Sequence, residues 1–383
     1  MKQILLRLLI ICTFAHLHIR TLAQDSSHLR ISLLTCTPGD ELYATFGHSA
    51  LRVVDSSSLT DIVFNYGTFN FDDDGFYLKF VRGKLLYYVS TENFSDFKYE
   101  YQSTSRGITE QVLNFSADEK IKIQQALFEN IKEQNKYYKY DFFFDNCTTR
   151  LRDIIRKHKS DSIVFKAVMP AGTRFRQAIH QYLDKNEKYW SKLSIDLLLG
   201  ARCDAVMTAE QSQFLPDNLM MALDSSNQGH QLVISSKKLY SLQDATSKRT
   251  PIPPLITFSF LFLVIFILSN IQKNWIVKFL NGFDGLFFFL TGAIGIILLL
   301  MWFATNHAMC KNNFNLLWAL PSHAVMSFFI ASNRSWVKKY FAFTAILLAL
   351  TLLSWFFLPQ QMNNAFLPII FLLTYRSYRI YAK

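Results

Sequence analysis

Five apolar runs follow one another near the C-terminus, at residues 255–270, 282–305, 314–332, 340–357 and 364–375. A helix needs about 20 mostly apolar residues to cross a bilayer, so this part of the chain reads as membrane and not as the core of a soluble fold. The last run is short and reads as tilted or held by its aromatic flank. An α-helical bundle of about five spans is expected over 255–383. Half of the 383 residues are hydrophobic, 36 of them Phe, and the excess lies at this end.

The net charge of +11 would suit a nucleic-acid partner. The basic residues are scattered, however, with no Lys/Arg-rich block, and no nucleic acid is expected. They sort instead by topology. With the preceding domain outside, the loops at 273–278 and 334–339 and the tail with Arg376, Arg379 and Lys383 all fall inside, as the positive-inside rule requires. The N-terminus agrees. Lys2 and Arg7, an apolar stretch over 8–14 and Thr21-Leu22-Ala23 read as a signal peptide over 1–23, either cleaved or kept as an anchor. The domain at 24–240 is therefore exported. A Ser-, Lys- and Pro-containing stretch over 235–254 reads as a linker, with the boundary placed at 241–254.

Within 24–240 the pattern is α+β. Short strands are expected at 31–34, 46–54, 62–66, 84–89 and 108–113, with a hairpin-type turn at Asp55-Ser56-Ser57-Ser58. Ser116 and Glu119 form a capping box for a helix reaching about Gln134. Residues 173–223 read as mainly helical. The five cysteines (Cys12, Cys36, Cys147, Cys203, Cys310) show no metal-ligand spacing. No Gly-rich phosphate loop appears, so no metal or cofactor is expected. Cys36 and Cys203 are candidates for a disulfide in an oxidising compartment.

Chemistry concentrates at Tyr140-Asp141-Phe142-Phe143-Phe144-Asp145-Asn146-Cys147-Thr148-Thr149-Arg150. Leu151, Ile154 and Ile155 recur at helical spacing, so a helix starts at or next to Cys147 behind two N-cap residue types, Asp145 and Asn146. A thiol in the first turn meets unpaired N–H groups and the positive end of the helix dipole, which favour thiolate. The competing reading is a buried core cysteine. The aromatic run over 137–144 reads as the packed strand or turn that fixes the cysteine.

His48, in Phe46-Gly47-His48-Ser49-Ala50, is the candidate base. A thiol–imidazole pair needs a polar group to orient the ring. Asn65 on the neighbouring strand is the first candidate, with Tyr66 and Asp145 as alternatives. Tyr43 and Thr45 are candidates to line a substrate pocket. Arg82, Lys84 and the 214–223 segment are candidates for headgroup contact, and His307, in an outside loop, for phosphate contact. His323 lies at membrane depth next to Pro321, either functional or capping a broken helix.

The order of histidine before cysteine resembles the permuted branch of the NlpC-type papain-like fold. That branch includes the lecithin:retinol acyltransferase group, which transfers acyl chains from phospholipid through a thioester. More closely, Leu33-Leu34-Thr35-Cys36-Thr37-Pro38-Gly39, Phe46-Gly47-His48-Ser49-Ala50, Phe64-Asn65-Tyr66-Gly67, Phe80-Val81-Arg82-Gly83-Lys84 and the Asp145-Asn146-Cys147-Thr148-Thr149-Arg150 block resemble the Lnb family of Bacteroidetes, as do Asp196-Leu197-Leu198-Leu199-Gly200 and Phe214-Leu215-Pro216-Asp217. Those proteins are lipoprotein N-acyltransferases with a periplasmic domain before a membrane bundle. The resemblance implies a His48–Cys147 pair, a permuted papain-like domain, a phospholipid acyl donor, a diacylated lipoprotein acceptor and a place in the inner membrane. A membrane-anchored cysteine peptidase or amidase of cell-wall peptides and a non-catalytic membrane sensor are the competing functions.

Overall fold

A computed structural model describes residues 28–225, 231–241, 251–332 and 334–383; the signal-peptide reading at 1–23 lies outside them. The exported part is α+β, built on a seven-stranded antiparallel sheet in the order β6-β4-β3-β2-β1-β5-β7. The strands are β1 (Leu29–Cys36), β2 (His48–Asp55), β3 (Thr60–Thr68), β4 (Leu86–Asn93), β5 (Ile108–Leu113), β6 (Tyr137–Lys139) and β7 (Val233–Tyr240). The last corrects the linker reading, since 233–240 pairs with β5 along its length. Its serines and lysines suit an edge strand, whose open side discourages further pairing when it is polar.

Alternation along the central strands gives the sheet two buried faces. Ile31, Leu33, Leu51, Val53, Phe64 and Tyr66 belong to the larger core. The helices α1 (Phe76–Val81), α2 (Phe94–Ser103), α3 (Ala117–Asn130) and α4 (Cys147–His158) follow in chain order. Leu151 and Ile155 of α4 and Ile123 and Leu127 of α3 share this larger core. Leu34, Ala50 and Val63 face the other way, onto Phe97 and Tyr101 of α2. The capping box at α3 is present, Ser116 N donating to Glu119 Oε2 at 2.8 Å and Glu119 N to Ser116 Oγ at 3.3 Å.

Three further helices complete this part: α5 (Phe175–Lys185), α6 (Tyr189–Leu198) and α7 (Pro216–Ser225). The 214–223 segment is not a headgroup surface. Phe214, Leu215, Leu219 and Leu223 are all buried, because they fill the space between α4, α5 and the sheet. The candidate Cys36–Cys203 bridge is not formed, and Cys36, Cys147, Cys203 and Cys310 are all free. Cys36 sits in the core under α2, whereas Cys203 sits with Phe175 and Cys310 in another.

The C-terminal part contains α8 (Pro254–Leu268), α9 (Asn274–Phe303), α10 (Ser322–Met326), α11 (Ser335–Leu353) and α12 (Phe366–Tyr381). Of these, α9 and α11 are long and apolar enough to cross a membrane, and α8 is a shorter apolar helix. The third expected span is not a continuous helix. Residues 314–332 form short turns around α10, beside α9. Two small residues in α9 permit this. A Cβ at Gly292 would stand 2.0 Å from Ala324 N, and one at Gly295 2.1 Å from Ala319 O. Irregular backbone is tolerated at membrane depth only where protein covers it. His323 is fully buried there, with Nδ1 3.4 Å from Thr291 Oγ1 and Phe288 edge-on to its ring.

The two parts are stapled by side-chain amides that reach the C-terminal end of α6. Asn313 Nδ2 donates to Leu197 O (2.8 Å), Asn315 Nδ2 to Asp196 O (3.1 Å), Gln360 Nε2 to Leu199 O (3.0 Å) and Asn363 Nδ2 to Asp196 Oδ2 (2.8 Å). Asp196 also accepts from Arg176 Nη1 and binds His180 Nε2, each at 2.8 Å. The Asp196–Gly200 motif therefore works as a joint between domain and bundle. A polar cavity of about 570 Å³ beside this joint, lined by Arg174, His180, Lys192 and Trp355 among others, does not include Cys147.

Candidate active site

The site lies where β2 begins and α4 begins. Gly47 makes the approach: its φ is +82°, and a Cβ there would stand 2.6 Å from Cys36 O. Only glycine accepts that backbone without strain. His48 follows as the first residue of β2. The N-cap of α4 is Asn146, not Asp145. Asn146 Oδ1 accepts from Thr148 N and Thr149 N at 2.9 Å each, while its Nδ2 donates to Phe142 O and Phe214 O at 2.8 Å. This fully used side chain fixes Cys147 at the first helical position. The turn before it is tied by Asp141, whose Oδ1 accepts from Phe143 N at 2.9 Å. Phe142 and Phe143 pack on Phe214.

The structure brings His48, Asn65 and Cys147 together. The Cys147 thiol interacts with the His48 ring and with Ser49 N–H, and its sulfur lies 3.7 Å from Thr148 Oγ1. On the far side of the ring, His48 Nε2 lies 3.1 Å from Asn65 Oδ1. Asn65 Nδ2 in turn donates to Glu92 Oε1 at 2.7 Å. A carboxylate only accepts, so Glu92 turns the amide group of Asn65 toward itself and its carbonyl toward the histidine. That makes Nε2 the protonated nitrogen.

Electrostatics follow from this chain of contacts. Burial raises the Cys147 thiol, but the imidazolium of His48 and the bonds from His48, Ser49 N–H and Thr148 outweigh it, and the thiol falls from 9.0 to about 7. Burial lowers His48, yet the thiolate and Asn65 raise it above its ordinary value. At Cys36 and Cys203 burial is the largest cause and is not offset, so both are pushed up to about 12. Of these three exported thiols, only Cys147 is ionised to a useful extent near neutral pH.

The other sequence candidates lie elsewhere. Tyr66 is buried with its hydroxyl accepting from Asn130 Nδ2 at 2.7 Å, so it does not orient the ring. Asp145 is held by Arg150 (Nε–Oδ1 2.7 Å, Nη2–Oδ2 2.9 Å). Thr45 is buried and accepts from Lys188 Nζ at 2.9 Å, which removes it from a substrate pocket. Tyr43 is exposed and meets Phe69 edge-on at 6.1 Å. Arg82 caps α1, and its carbonyl accepts from Asn306 N at 3.0 Å. His307 Nε2 lies 3.1 Å from both Phe80 O and Val81 O, so it docks α1 against the end of α9.

Glu92 was missed by sequence reasoning. No local pattern marks it, because only the β3–β4 register, with Asn65 opposite Ser90 and Val63 opposite Glu92, brings it to the amide. Replacing it tests the orienting chain. Glu92→Gln keeps the size but lets Asn65 turn either way. Alkylation of Cys147 at pH 7 is expected to slow roughly tenfold, by the loss of one hydrogen bond to a charged group. An unchanged rate would remove Glu92 from the site.

Residues 17–178 match the Lnb N-terminal periplasmic domain, and residues 245–383 match the Lnb transmembrane domain. The chain belongs to the Lnb family. It is thus a membrane protein with a periplasmic domain, and the His48–Cys147 site lies within the region matched to the Lnb periplasmic model. No curated protein and no solved structure matches the chain.

Proposed function

We propose that this Lnb protein is a thiol acyltransferase that moves a fatty acyl chain from a phospholipid to the N-terminal amine of diacylglyceryl-cysteine on lipoproteins. The observation that carries the reading is the Cys147–His48–Asn65–Glu92 chain at the start of α4, joined to a membrane domain. Cys147 thiolate attacks the ester carbonyl carbon of the donor. The tetrahedral intermediate collapses, its C–O bond breaks, and imidazolium of His48 gives its proton to the departing lysophospholipid oxygen. A thioester remains on Cys147. The acceptor amine attacks this thioester, His48 takes the amine proton, and the thiolate leaves to restore the ion pair. Amide formation from a thioester is downhill, which is the chemical reason for a sulfur nucleophile.

In this reading the catalytic domain is a permuted papain-like fold, supported by its histidine strand preceding its cysteine helix. The chain crosses the inner membrane five times, the third crossing made by the broken segment around α10. Such a topology keeps Cys147 at the outer leaflet, where both lipid substrates meet. The test is direct. Cells carrying Cys147→Ala or His48→Ala as their sole copy are expected to accumulate diacylated lipoproteins with a free amine, read by mass spectrometry of N-terminal peptides. Normal N-acylation in both mutants overturns the proposal.

A further inference from the structure

One apolar surface of the periplasmic domain has no cover among the described residues. In α1, Phe76 is tucked into an aromatic cluster with Phe69 and Phe71. The outward residues are Tyr77 (77% exposed), Leu78 (64%), Phe80 and Val81, joined on the approach by Phe71. Leu42 and Tyr43 add to the patch, Tyr43 reaching it through Phe69. Six or more large apolar side chains grouped in this way are uncommon on a surface bathed only in water.

The position of α1 says what covers it. Asn306 N donates to Arg82 O at 3.0 Å, and His307 Nε2 lies 3.1 Å from Phe80 O and Val81 O. These contacts come directly after α9, whose last residues, Trp302 and Phe303, stack on each other, with Phe303 exposed. The C-terminal end of α1 is therefore pinned where a long apolar helix ends. Lys79, Arg82 and Lys84, on and just after α1, are exposed, and basic side chains beside an apolar face suit lipid headgroups.

The same segment leads to the nucleophile. Phe69 packs on Tyr87 at 5.3 Å and Tyr87 stacks on Tyr140 at 4.4 Å. A Cβ on Gly67 would stand 3.6 Å from both Tyr140 Cε2 and Cys147 Cβ. An aromatic path thus runs from the exposed lip to the sulfur. We propose that α1 and the Leu42–Tyr43 turn form a lip seated in the outer leaflet, with bilayer acyl chains as its occupant, and that a donor chain enters toward Cys147 along this lip. The seating stands on the geometry alone; the entry route rests on the acyltransferase reading.

Nitroxide labels separate the two claims. In the full chain with Cys12→Ser and Cys147→Ser, a label is placed at Leu78→Cys or, as the water control, at Tyr99→Cys on α2, which is also exposed. The protein is reconstituted into vesicles of phosphatidylethanolamine and phosphatidylglycerol. The label at 78 is expected to favour oxygen over a nickel chelate, at a depth of about 5–10 Å, and the label at 99 the reverse. Equal nickel access at both positions overturns the seating. Exclusion of both reagents at 78 means that a second protein copy covers α1, and also overturns it.

The entry route is tested by Tyr77→Asp with Leu78→Asp. Iodoacetamide labelling of Cys147 is expected to stay as in the wild type, which verifies the fold. Acylation of Cys147 by vesicle phospholipid is expected to fall about tenfold or more, as buried apolar area is lost. Unchanged acylation overturns the entry route. If the labels show seating but the wild type itself never becomes acylated, the lip stands and the acyltransferase reading fails.

Discussion

Changing His48 to alanine is expected to raise the Cys147 thiol from about 7 to above 9.0 and to slow its alkylation at pH 7 by roughly two orders of magnitude. The sign follows from the causes. Burial alone favours the neutral thiol, as at Cys36 and Cys203, and His48 is the main influence that reverses it. The wild-type rate should therefore rise through about pH 7, well before an ordinary thiol ionises. In the variant it should climb only above pH 9. Linkage has the same direction. A thiol lowered in the folded state contributes stability above its unfolded value that is lost as pH falls through about 7. A pH–rate profile for iodoacetamide, with labelled peptides identified by mass spectrometry, checks this. An unshifted profile would mean that the helix N-terminus, and not the imidazole, ionises the thiol. Acyl transfer should fall further, because the first step takes a proton from His48 and the second returns one to it.

The second large effect lies inside the bundle. Arg376 donates to Asp284 through Nε–Oδ1 and Nη2–Oδ2, both at 2.7 Å, and to Ser269 Oγ at 2.6 Å. Asp284 is fully buried and Arg376 nearly so, which ties α8, α9 and α12 at one point. Removing one partner leaves a bare charge without water. Asp284→Ala or Arg376→Ala is expected to destabilise the protein by about 3–5 kcal/mol. The double variant Asp284→Leu with Arg376→Met leaves no unpaired charge and should recover most of that loss. Thermal unfolding in detergent micelles reads the difference. Single variants that melt with the wild type would show that the charges are paired elsewhere or solvated. This prediction does not depend on the reaction, so it tests the fold separately from the site.

Several features were legible from local sequence because they are local in origin. A capping box at Ser116 and Glu119 satisfies helix donors within four residues, and the helix at Cys147 was visible from apolar spacing behind polar caps. Even so, the N-cap fell to Asn146, since Asp145 is drawn off by Arg150. Apolar runs near the C-terminus marked a membrane domain for a similar reason: bilayer thickness sets a length that can be counted along the chain. The break in the third run was not countable. It depends on Gly292 and Gly295 of α9 letting another backbone lie against the helix, a property of two segments together.

By itself, the sequence determined the exported α+β domain, the membrane domain and the two candidate groups, His48 and Cys147. Each follows from composition or from patterns a few residues long. Only the tertiary structure decided how those groups act. Strand register and the meeting of β2 with α4 placed Asn65 and not Tyr66 or Asp145 behind the histidine, recruited Glu92 from β4, and set the thiol near neutrality. It also buried most of the apolar side chains of 214–223 and exposed those on the outer face of α1. Hydrogen bonds and desolvation act over a few ångströms in space, whatever the separation along the chain, and the distance from 48 to 147 in sequence carries no record of them.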